Sequence, residues 1–301
     1  MPELPEVQTV VSDLNEKIKG DTIADFSSVW PKAIKGMSLA KFKKEVIGRK
    51  ILGARRIGKN IFIDLSGGKT LYIHLKMTGH LLIKSKIQIS NAKSNPKSKI
   101  SKSGKDYFED KVNQYIRHSW ILKDKSGKQK VMDFSDMRKF AKIVLVDTDK
   151  VEELPEIKKL GIDAMDRKFT LKKFEELLEK RKNKKLSLVL MEQELIAGIG
   201  NIYRSEILYD AGVSPDRLIR DIDKEELEKA YEATIRILKK AIKMRGTSDS
   251  DYRDTSGAPG NFQKALKVYG RTGKKCLSCD TIVERKTIGQ RSVFFCPVCQ
   301  R

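Results

Sequence analysis

The spacing of apolar residues changes its period about halfway along the chain. Near the N-terminus, one set of aliphatic side chains recurs every three or four positions: Val7, Val10, Val11, Leu14 and Ile18. This spacing is typical of an amphipathic helix that buries one face. The sequence therefore predicts a helix over residues 3–18.

Short runs rich in β-branched residues follow this helix. They cover residues 61–65, 70–75, 119–122, 130–134 and 142–146. Clusters of Gly, Ser and Lys separate the runs, as in hairpin loops. We expect an N-terminal β-sandwich that carries one helix and extends over residues 1–150.

A basic segment at residues 84–114 interrupts the strand pattern. From Lys84 to Lys105 it contains seven lysines and no acidic residue. Such a composition offers too little apolar surface to offset the cost of ordering the chain. We expect a mobile basic insertion rather than a specific site.

The second half of the chain has helical spacing. Apolar stripes lie at residues 171–178, 186–195 and 227–242, and the stretch 245–260 is rich in Gly, Ser, Asp and Pro. Stripes of this kind predict packed helices, and the last stretch predicts a long loop. We therefore divide the remainder into a linker (151–165), a helical domain with its loop (166–260) and a cysteine-bearing tail (261–301).

The charge balance indicates a polyanionic partner. Lys and Arg outnumber Asp and Glu by 62 to 40, which gives a formal net charge of +22. Nucleic acid is the first candidate for such a surplus. The alternative is that the solvated faces of a lysine-rich protein carry it, and charge alone does not separate the two.

The sequence predicts a soluble, cytoplasmic protein. No stretch approaches the roughly 20 apolar residues of a membrane helix, and the N-terminus lacks a basic-then-apolar signal. All four cysteines lie in the last 26 residues, in two Cys-x-x-Cys pairs. This arrangement favours a metal site in a reducing compartment over a disulfide framework.

The cysteine spacing predicts one structural zinc ion. Cys276, Cys279, Cys296 and Cys299 leave sixteen residues between the pairs. Four thiolates at this spacing can surround Zn²⁺ tetrahedrally with a β-hairpin between them, for which residues 281–283 and 292–295 are the candidate strands and Gly289 lies near the tip. A redox dithiol is the competing use of Cys-x-x-Cys.

Cations surround this predicted zinc hairpin. They are Arg271, Lys274, Lys275, Arg285, Lys286 and Arg291. Their density predicts a hairpin that grips phosphates. A purely structural zinc ribbon is the alternative.

A glycine-rich turn at residues 197–203 joins two predicted helices. Its glycines, Gly198 and Gly200, permit a tight turn, and Asn201 can cap the following helix. The backbone N–H groups would then point outward to bind a phosphate. An ordinary helical hairpin has the same local sequence.

The N-terminus offers a nucleophile. Removal of Met1 would leave Pro2 with a free secondary amine, and an α-amine has a pKa of roughly 8, well below that of lysine. Glu3 and Glu6 supply carboxylates beside it for general acid catalysis. The competing interpretation is ordinary helix-start chemistry, in which Pro and Glu occupy a first turn.

Three motifs together resemble the formamidopyrimidine-DNA glycosylase family. They are Met1-Pro-Glu-Leu-Pro-Glu-Val7, the turn Gly-Ile-Gly-Asn-Ile-Tyr203, and Tyr269-Gly-Arg-x-Gly before a four-cysteine hairpin that ends in Phe295-Cys-x-x-Cys. The resemblance runs from end to end in the same order. It implies an α+β fold, with an N-terminal β-sandwich and helix, a helix-two-turn-helix domain and a zinc β-hairpin.

The resemblance also implies an activity. It indicates a monomeric, nucleoid-associated enzyme that binds damaged double-stranded DNA, removes oxidised purines such as 8-oxoguanine, and cleaves the strand by β,δ-elimination. It implies catalytic roles for Pro2 as Schiff-base nucleophile, Glu3 as acid, Lys59 in β-elimination and Arg291 in δ-elimination and phosphate binding. The implied DNA-binding residues are His74, Met77, His118, Arg138, Phe140, Lys182 and Asn201.

The sequence departs from the family pattern at two places. The basic insertion is longer than is typical, and a His-x-His pair expected after it is reduced to His118. The base-recognition loop falls in residues 247–254, where Asp-Ser-Asp is more acidic than is typical.

Two rival functions carry different expectations. An endonuclease VIII type would prefer oxidised pyrimidines, but Leu4, where that branch tends to have glycine, and the long loop before Phe262 favour the purine enzyme. A noncatalytic DNA-binding zinc protein would form no covalent adduct, whereas the intact Pro2–Glu3 pair and Lys59 favour activity.

Overall fold

The computed structural model describes residues 2–85 and 107–301. Clustering of the backbone separates two compact units. Among the described residues, unit 1 comprises Pro2, 6–85, 107–154 and 245–260, and unit 2 comprises 3–5, 155–244 and 261–301. None of the helices in the described ranges combines the length and apolar character that a bilayer crossing requires.

The predicted N-terminal helix is present as α1, Leu4–Ile18. Its residues Val7, Val10 and Leu14 are buried in the core of unit 1. The helical spacing read from the sequence therefore corresponds to a buried face.

Unit 1 is a sandwich of two sheets, one mixed and one antiparallel. The five-stranded sheet has the order β2-β9-β5-β4-β3 and the four-stranded sheet the order β1-β7-β8-β6. The strands are β1 (Thr22–Ser28), β2 (Ile34–Lys35), β3 (Ile51–Ile57), β4 (Asn60–Leu65), β5 (Lys69–His74), β6 (His80–Ser85), β7 (Ile116–Lys123), β8 (Gln129–Ser135) and β9 (Lys142–Asp147). Helix α2, Leu39–Val46, begins after Ser38, whose hydroxyl accepts from the N–H of Lys41. One apolar core contains side chains from both sheets, including Phe26 and Trp120 of one and Ile63 and Ile73 of the other.

The strand predictions are confirmed at five places and incomplete at others. Strands β4, β5, β7, β8 and β9 overlap the predicted runs. Strands β1, β3 and β6 were not predicted, because they carry polar residues or glycine where an alternating pattern requires apolar ones. Their membership in the sheets depends on pairing with partners far along the chain.

The predicted irregular segment 84–114 is too long at both ends. Residues up to Ser85 belong to β6, which pairs with β8. Residues Tyr107–Glu109 and Lys111–Gln114 form two 3₁₀ turns, and Asp110 accepts from the N–H of Val112 at the start of the second. The remaining residues of this prediction, 86–106, lie outside the described residues.

Unit 2 is mainly helical. Its helices are α3 (Pro155–Lys158), α4 (Leu171–Glu179), α5 (Leu186–Val189), α6 (Asn201–Ala211) and α7 (Lys224–Lys243), and two short parallel strands are β10 (Ile162–Asp163) and β11 (Ile196–Ala197). A capping box of Asp223 and Glu226 begins α7. The stripe at 186–195 forms only the short helix α5, which ends at its C-cap Leu190. Beyond it, the side chain of Gln193 bonds Gly198 N–H and Ile199 C=O.

The C-terminal hairpin of unit 2 consists of β12 (Glu284–Ile288) and β13 (Arg291–Phe295). Gly289 and Gln290 connect them with φ angles of 58° and 64°. A two-residue turn with both φ angles positive matches the twist of a hairpin. The predicted second strand is confirmed, and the first lies after residues 281–283 rather than on them.

Residues 245–260 group with unit 1, although their sequence position suggested the helical domain. Arg245 contributes to this attachment, because its guanidinium bonds the carboxylates of Asp13 and Asp254. Thr255 adds a bond from its hydroxyl to Asp13 and accepts the N–H of Ile83 at its carbonyl. Long-range polar contacts therefore decide which unit holds this loop.

Candidate functional site

The carboxylate of Glu3 lies at the N-terminus of α6 within unit 2. It accepts hydrogen bonds from the backbone N–H groups of Gly200 at 2.7 Å, Ile202 at 2.9 Å and Tyr203 at 3.5 Å. The first turn of a helix offers unpaired N–H groups and a positive dipole end, which suit an anion. Glu3 is 3% exposed, so this contact fixes its side chain in one position.

The two glycines of the turn allow this close approach. A Cβ atom on Gly200 would lie 2.4 Å from Cδ of Glu3, and one on Gly198 would lie 2.5 Å from Cδ1 of Leu4. The N–H of Leu4 also donates to the carbonyl of Gly198 at 3.1 Å. The Gly-x-Gly sequence therefore accommodates residues 3 and 4, in addition to forming a turn.

Two details of the predicted turn are wrong. Gly200, not Asn201, is the N-cap residue of α6, and Asn201 is the first residue of the helix. The N–H groups that the sequence offered to a phosphate are occupied by Glu3. An internal carboxylate thus takes the place predicted for an external anion.

Sequence reasoning missed Arg204. This residue lies in α6, is 0% exposed, and donates to Asn201 Oδ1 at 2.5 Å and to the carbonyl of Ser292 at 3.1 Å. Burial lowers the pKa of Arg204 to about 10, so the guanidinium is still charged at neutral pH. The sequence does contain a signal for it, an arginine among the apolar residues of a predicted buried helix. A charge in such a position needs internal hydrogen-bond partners.

Arg291 begins β13 directly after the hairpin turn and is exposed. The turn packs against unit 2 at Gly289, where a Cβ atom would lie 2.5 Å from Cδ2 of Leu188. Leu188 also packs against Ile288 and Val293. The guanidinium of Arg291 therefore projects from a hairpin tip with a fixed base.

The four cysteines form a cluster that fits one metal ion. Their sulfur atoms all lie within 4.8 Å of one another, with Cys276 and Cys299 3.8 Å apart and Cys279 and Cys296 3.4 Å apart. Zn–S bonds of about 2.3 Å place tetrahedral ligands roughly 3.8 Å apart, so the spacing suits Zn²⁺. Because protein thiolates supply all four ligands, the prediction of a structural site is confirmed.

Buried polar contacts attach the zinc hairpin to the helices of unit 2. Glu206, 1% exposed, accepts the N–H groups of Lys267, Val268 and Tyr269. Desolvation raises the pKa of its carboxyl, while these N–H groups oppose the rise. The segment that leads into the first cysteine pair is thereby held in place.

Lys182 lies in the turn after α4 and is exposed. Its ammonium is 3.4 Å from Glu179, with 57% of the lysine side chain accessible. An exposed pair of this kind contributes little stability. Lys182 is therefore available to a ligand at low energetic cost.

Pro2 and Lys59 are both buried residues of unit 1. Lys59 is 8% exposed and lies with Gly58 in the two-residue turn between β3 and β4, where Ile57 pairs with Asn60. Arg56 donates to the carbonyl of Gly58 at 2.8 Å, which fixes the turn.

Glu6 holds the loop at residues 245–260 within unit 1. Its carboxylate accepts the N–H of Thr247 at 2.7 Å, and its carbonyl accepts the hydroxyl of Tyr252 at 3.4 Å. Gly246 is required at this point, because a Cβ atom would lie 2.6 Å from Glu6 Oε1 and φ is +79°. These contacts give Glu6 a direct role in the geometry of the loop.

Unit 1 brings Met77, Arg138 and Phe140 together on its surface. Arg138 donates to Sδ of Met77 at 3.0 Å, and its guanidinium carbon lies 4.8 Å from the ring centroid of Phe140. Met77 is 41% exposed and Phe140 is 53% exposed. We call these three residues the wedge cluster.

A buried carboxylate fixes both loops of the wedge cluster. Asp136, 2% exposed, accepts the Thr78 hydroxyl at 2.5 Å and the N–H of Ala141 at 2.9 Å. Thr78 in turn accepts the N–H of Arg138 at 3.1 Å. The exposed side chains are thus mounted on a rigid base.

The structure separates the two predicted histidine contacts. His74 ends β5, and its Nδ1 accepts the N–H of Lys76 at 2.9 Å. His118 is 1% exposed and stacks with Phe26, with ring centroids 6.1 Å apart. Burial lowers the pKa of His118 to about 4. In this structure the His118 ring is enclosed and neutral at pH 7, so the DNA contact predicted for it is not among the exposed groups of unit 1.

Family models match three parts of the chain. Residues 1–143 match the formamidopyrimidine-DNA glycosylase N-terminal domain, and residues 160–253 match the H2TH domain of the same family. Residues 273–301 match a zinc finger found in FPG and IleRS. The matches follow the order predicted from the motifs.

Whole-chain comparisons agree with these models. A formamidopyrimidine-DNA glycosylase of Carboxydothermus hydrogenoformans is 37% identical over 301 residues and is covered completely, as is this chain. A Lactococcus lactis Fpg in complex with abasic-site DNA superposes with a TM-score of 0.82 at 30% identity, covering 99% of each chain. A mutant of that enzyme with Fapy-dG DNA gives the same TM-score and identity over 100% of each chain. The α+β fold class is confirmed, and neither the endonuclease VIII type nor the noncatalytic rival is favoured.

Proposed function

Because the chain belongs to the formamidopyrimidine-DNA glycosylase family, we propose that it excises oxidised purines from duplex DNA and then cleaves the strand. The lesions are of the 8-oxoguanine and formamidopyrimidine class, and a Lactococcus lactis relative forms a complex with Fapy-dG DNA. The location is cytoplasmic, on the nucleoid.

The position of Glu3 carries this proposal. Three N–H groups at the start of α6 hold its carboxylate, and residue 2 is its neighbour in the chain. A general acid must be fixed within reach of the reacting atoms to contribute to rate. These contacts place an ordered carboxylate one residue from the proposed nucleophile, as general acid catalysis requires.

In the proposed reaction, Pro2 is the nucleophile once Met1 has been removed. Its nitrogen lone pair forms a bond to C1′ of the damaged nucleotide while the bond from C1′ to the base breaks. Glu3 supplies the proton that ring opening or base release requires. After the nitrogen loses its proton, its lone pair forms the second C1′–N bond while the C1′–O4′ bond breaks and O4′ takes a proton. The product is an iminium, whose positive charge withdraws electrons from the sugar.

Strand cleavage follows from this electron withdrawal. Loss of a proton from C2′ expels the 3′ phosphate, and a second elimination expels the 5′ phosphate. Lys59 assists the first elimination, and Arg291 assists the second by binding the phosphate that leaves. Hydrolysis of the iminium then frees Pro2.

The other residues engage the duplex. The wedge cluster fills the gap that an extruded nucleotide leaves, and His74, Lys182 and Asn201 bind the backbone. Cys276, Cys279, Cys296 and Cys299 would hold one Zn²⁺, which supplies a cross-link between the two cysteine turns. The metal has no part in the chemical steps.

Borohydride trapping tests the mechanism. Intact mass should first establish that Met1 is absent, and borohydride should then link the protein to 8-oxoguanine DNA through Pro2. Glu3→Gln should slow base excision by about 100-fold or more, since general acids contribute on this scale. Glu16→Gln, which neutralises an exposed carboxylate on α1, should behave as wild type. Trapping at a lysine with Pro2 unmodified would contradict the mechanism.

A further inference from the structure

Arg204 is a buried cation whose hydrogen-bond partners are polar groups rather than a carboxylate. Its guanidinium donates to the carbonyl of Ser187 at 3.3 Å, to Asn201 Oδ1 at 2.5 Å and to the carbonyl of Ser292 at 3.1 Å. Because the residue is 0% exposed, it cannot contact DNA directly. Any influence on DNA must pass through the groups that it holds.

The bond to Asn201 determines which atom of that side chain faces outward. A guanidinium has donors only, so the asparagine atom that faces Arg204 must be its oxygen. Arg204 therefore removes the usual ambiguity between the oxygen and nitrogen of an amide. The bond to Oδ1 leaves the two N–H donors of Asn201 Nδ2 for other partners, and the asparagine is partly exposed.

The bond to Ser292 acts on the residue next to Arg291. The same Nη2 atom of Arg204 donates to Asn201 and to the Ser292 carbonyl. One guanidinium nitrogen thus joins the first residue of α6 to the strand that carries Arg291. Both contacts lie within unit 2.

The charges around Arg204 also suit an anion. Arg291 is near enough for its cation to lower the pKa of Arg204, while the carboxylate of Glu3 opposes that change. Arg291 therefore adds a second cation to that of Arg204, beside the carboxylate of Glu3. A phosphate would supply the missing negative charge.

We propose that Arg204 is a positioning residue that orients Asn201 Nδ2 and Arg291 as a joint donor pair for one DNA phosphate. This inference rests on the proposed function, since it assumes that unit 2 binds the backbone of damaged DNA. Arg204 contributes because its hydrogen bond occupies Oδ1 of Asn201. Only the N–H donors of that side chain then remain for the phosphate.

Asn201→Asp separates this role from a structural one. An aspartate keeps an oxygen for Arg204 and gains a charge-assisted bond, so the protein should fold with unchanged or higher melting temperature. The outward atom becomes a carboxylate oxygen, which repels phosphate. Affinity for duplex with an uncleavable abasic-site analogue should therefore fall by more than about tenfold.

A double-mutant cycle tests whether Arg204 acts through Asn201. Arg204→Met and Asn201→Ala should each weaken binding by about tenfold, the scale of one lost polar contact to a charged group. Arg204→Met should cost much less in the Asn201→Ala protein, because the donor it orients is already gone. Arg204→Lys should retain part of the effect, since an ammonium can reach one of the two acceptors.

Arg236→Met serves as the matched control, because Arg236 is 54% exposed and pairs with Asp210 at the surface of unit 2. It should bind as wild type. Wild-type affinity in Asn201→Asp, or additive losses in the cycle, would overturn the role of Arg204 and leave the glycosylase function intact. Absence of Pro2 trapping in the wild-type enzyme would instead refute the proposed function.

Discussion

The wedge cluster of unit 1 and the start of α6 in unit 2 (residues 198–204, here the α6 turn) present their candidate functional residues in opposite ways. Phe140 and Met77 are about half exposed, whereas Glu3 is 3% and Arg204 is 0% exposed. In the wedge cluster, a buried carboxylate fixes the loops and leaves the side chains accessible. In the α6 turn, the functional side chains themselves bond the backbone.

In the wedge cluster, a mutation can therefore change function without changing stability. In the α6 turn, the same kind of mutation should change both. An exposed side chain can be truncated at little cost to folding, because it loses few contacts. A buried charged group that bonds the backbone leaves unsatisfied partners when it is removed. Mutations in the two regions should therefore differ in the ratio of activity lost to stability lost.

The largest expected effect is loss of the zinc site. Cys296→Ser removes one of four ligands, and structural zinc contributes on the order of 10 kcal/mol to folding of its own element. Zinc should be lost by elemental analysis, and affinity for lesion and abasic DNA should fall together. Both tryptophans, Trp30 and Trp120, lie in unit 1, so tryptophan-detected unfolding should be unchanged. If the variant lost zinc but still bound and cleaved DNA like the wild type, the role proposed for Arg291 would be refuted.

A smaller effect should follow Gly200→Ala. The new Cβ would lie 2.4 Å from Cδ of Glu3, so the carboxylate must move from the α6 turn. We expect about 1 to 3 kcal/mol of destabilisation together with a large loss of base excision. Gly48→Ala, at a positive φ in open space, should cost about 1 kcal/mol and leave excision unchanged. Equal excision in the two variants would contradict the coupling of function and packing in this turn.

Mild acid should weaken unit 1, because burial lowers the pKa of two of its histidines, His80 and His118. The pKa of His118 falls to about 4 in the folded state, so the unfolded chain binds the proton first. Stability from this group is complete above about pH 6.5 and is lost as the pH falls toward 4. By pH 5 the free energy of unfolding should have fallen by about 2 kcal/mol. Urea unfolding monitored by tryptophan fluorescence measures this loss. His118→Phe should remove this loss, and an unchanged pH dependence would show that another group is responsible.

The smallest effect on stability should come from Phe140→Ala. The ring is 53% exposed, so unfolding should change by less than about 0.5 kcal/mol. Excision from duplex should nevertheless slow more than cleavage at a preformed abasic site, because the ring helps to offset unstacking during extrusion. Leu52→Ala, 51% exposed in unit 1, is the control. Equal losses on both substrates would indicate a folding role.

Part of the site was predictable from the sequence because its chemistry is encoded in short spacings. The cysteine pairs predict a tetrahedral site, and the structure brings the four sulfurs within 4.8 Å. The N-terminal Pro2–Glu3 pair and the Gly198–Gly200 turn were each recognised as separate motifs. Their direct contact through Glu3 and Gly200 spans 197 positions, and no local period encodes such a distance.

The sequence alone determined the N-terminal helix, five strands of unit 1, the helical character of unit 2, the zinc ligands and the family, since helical period, strand period and ligand spacing are properties of neighbouring residues. Tertiary structure decided the burial of His118, the pairing of Arg204 with Asn201 and Ser292, and the attachment of residues 245–260 to unit 1. Each of these depends on which distant groups meet after the chain has packed. A buried polar group must then find its partner among whatever residues the fold places beside it.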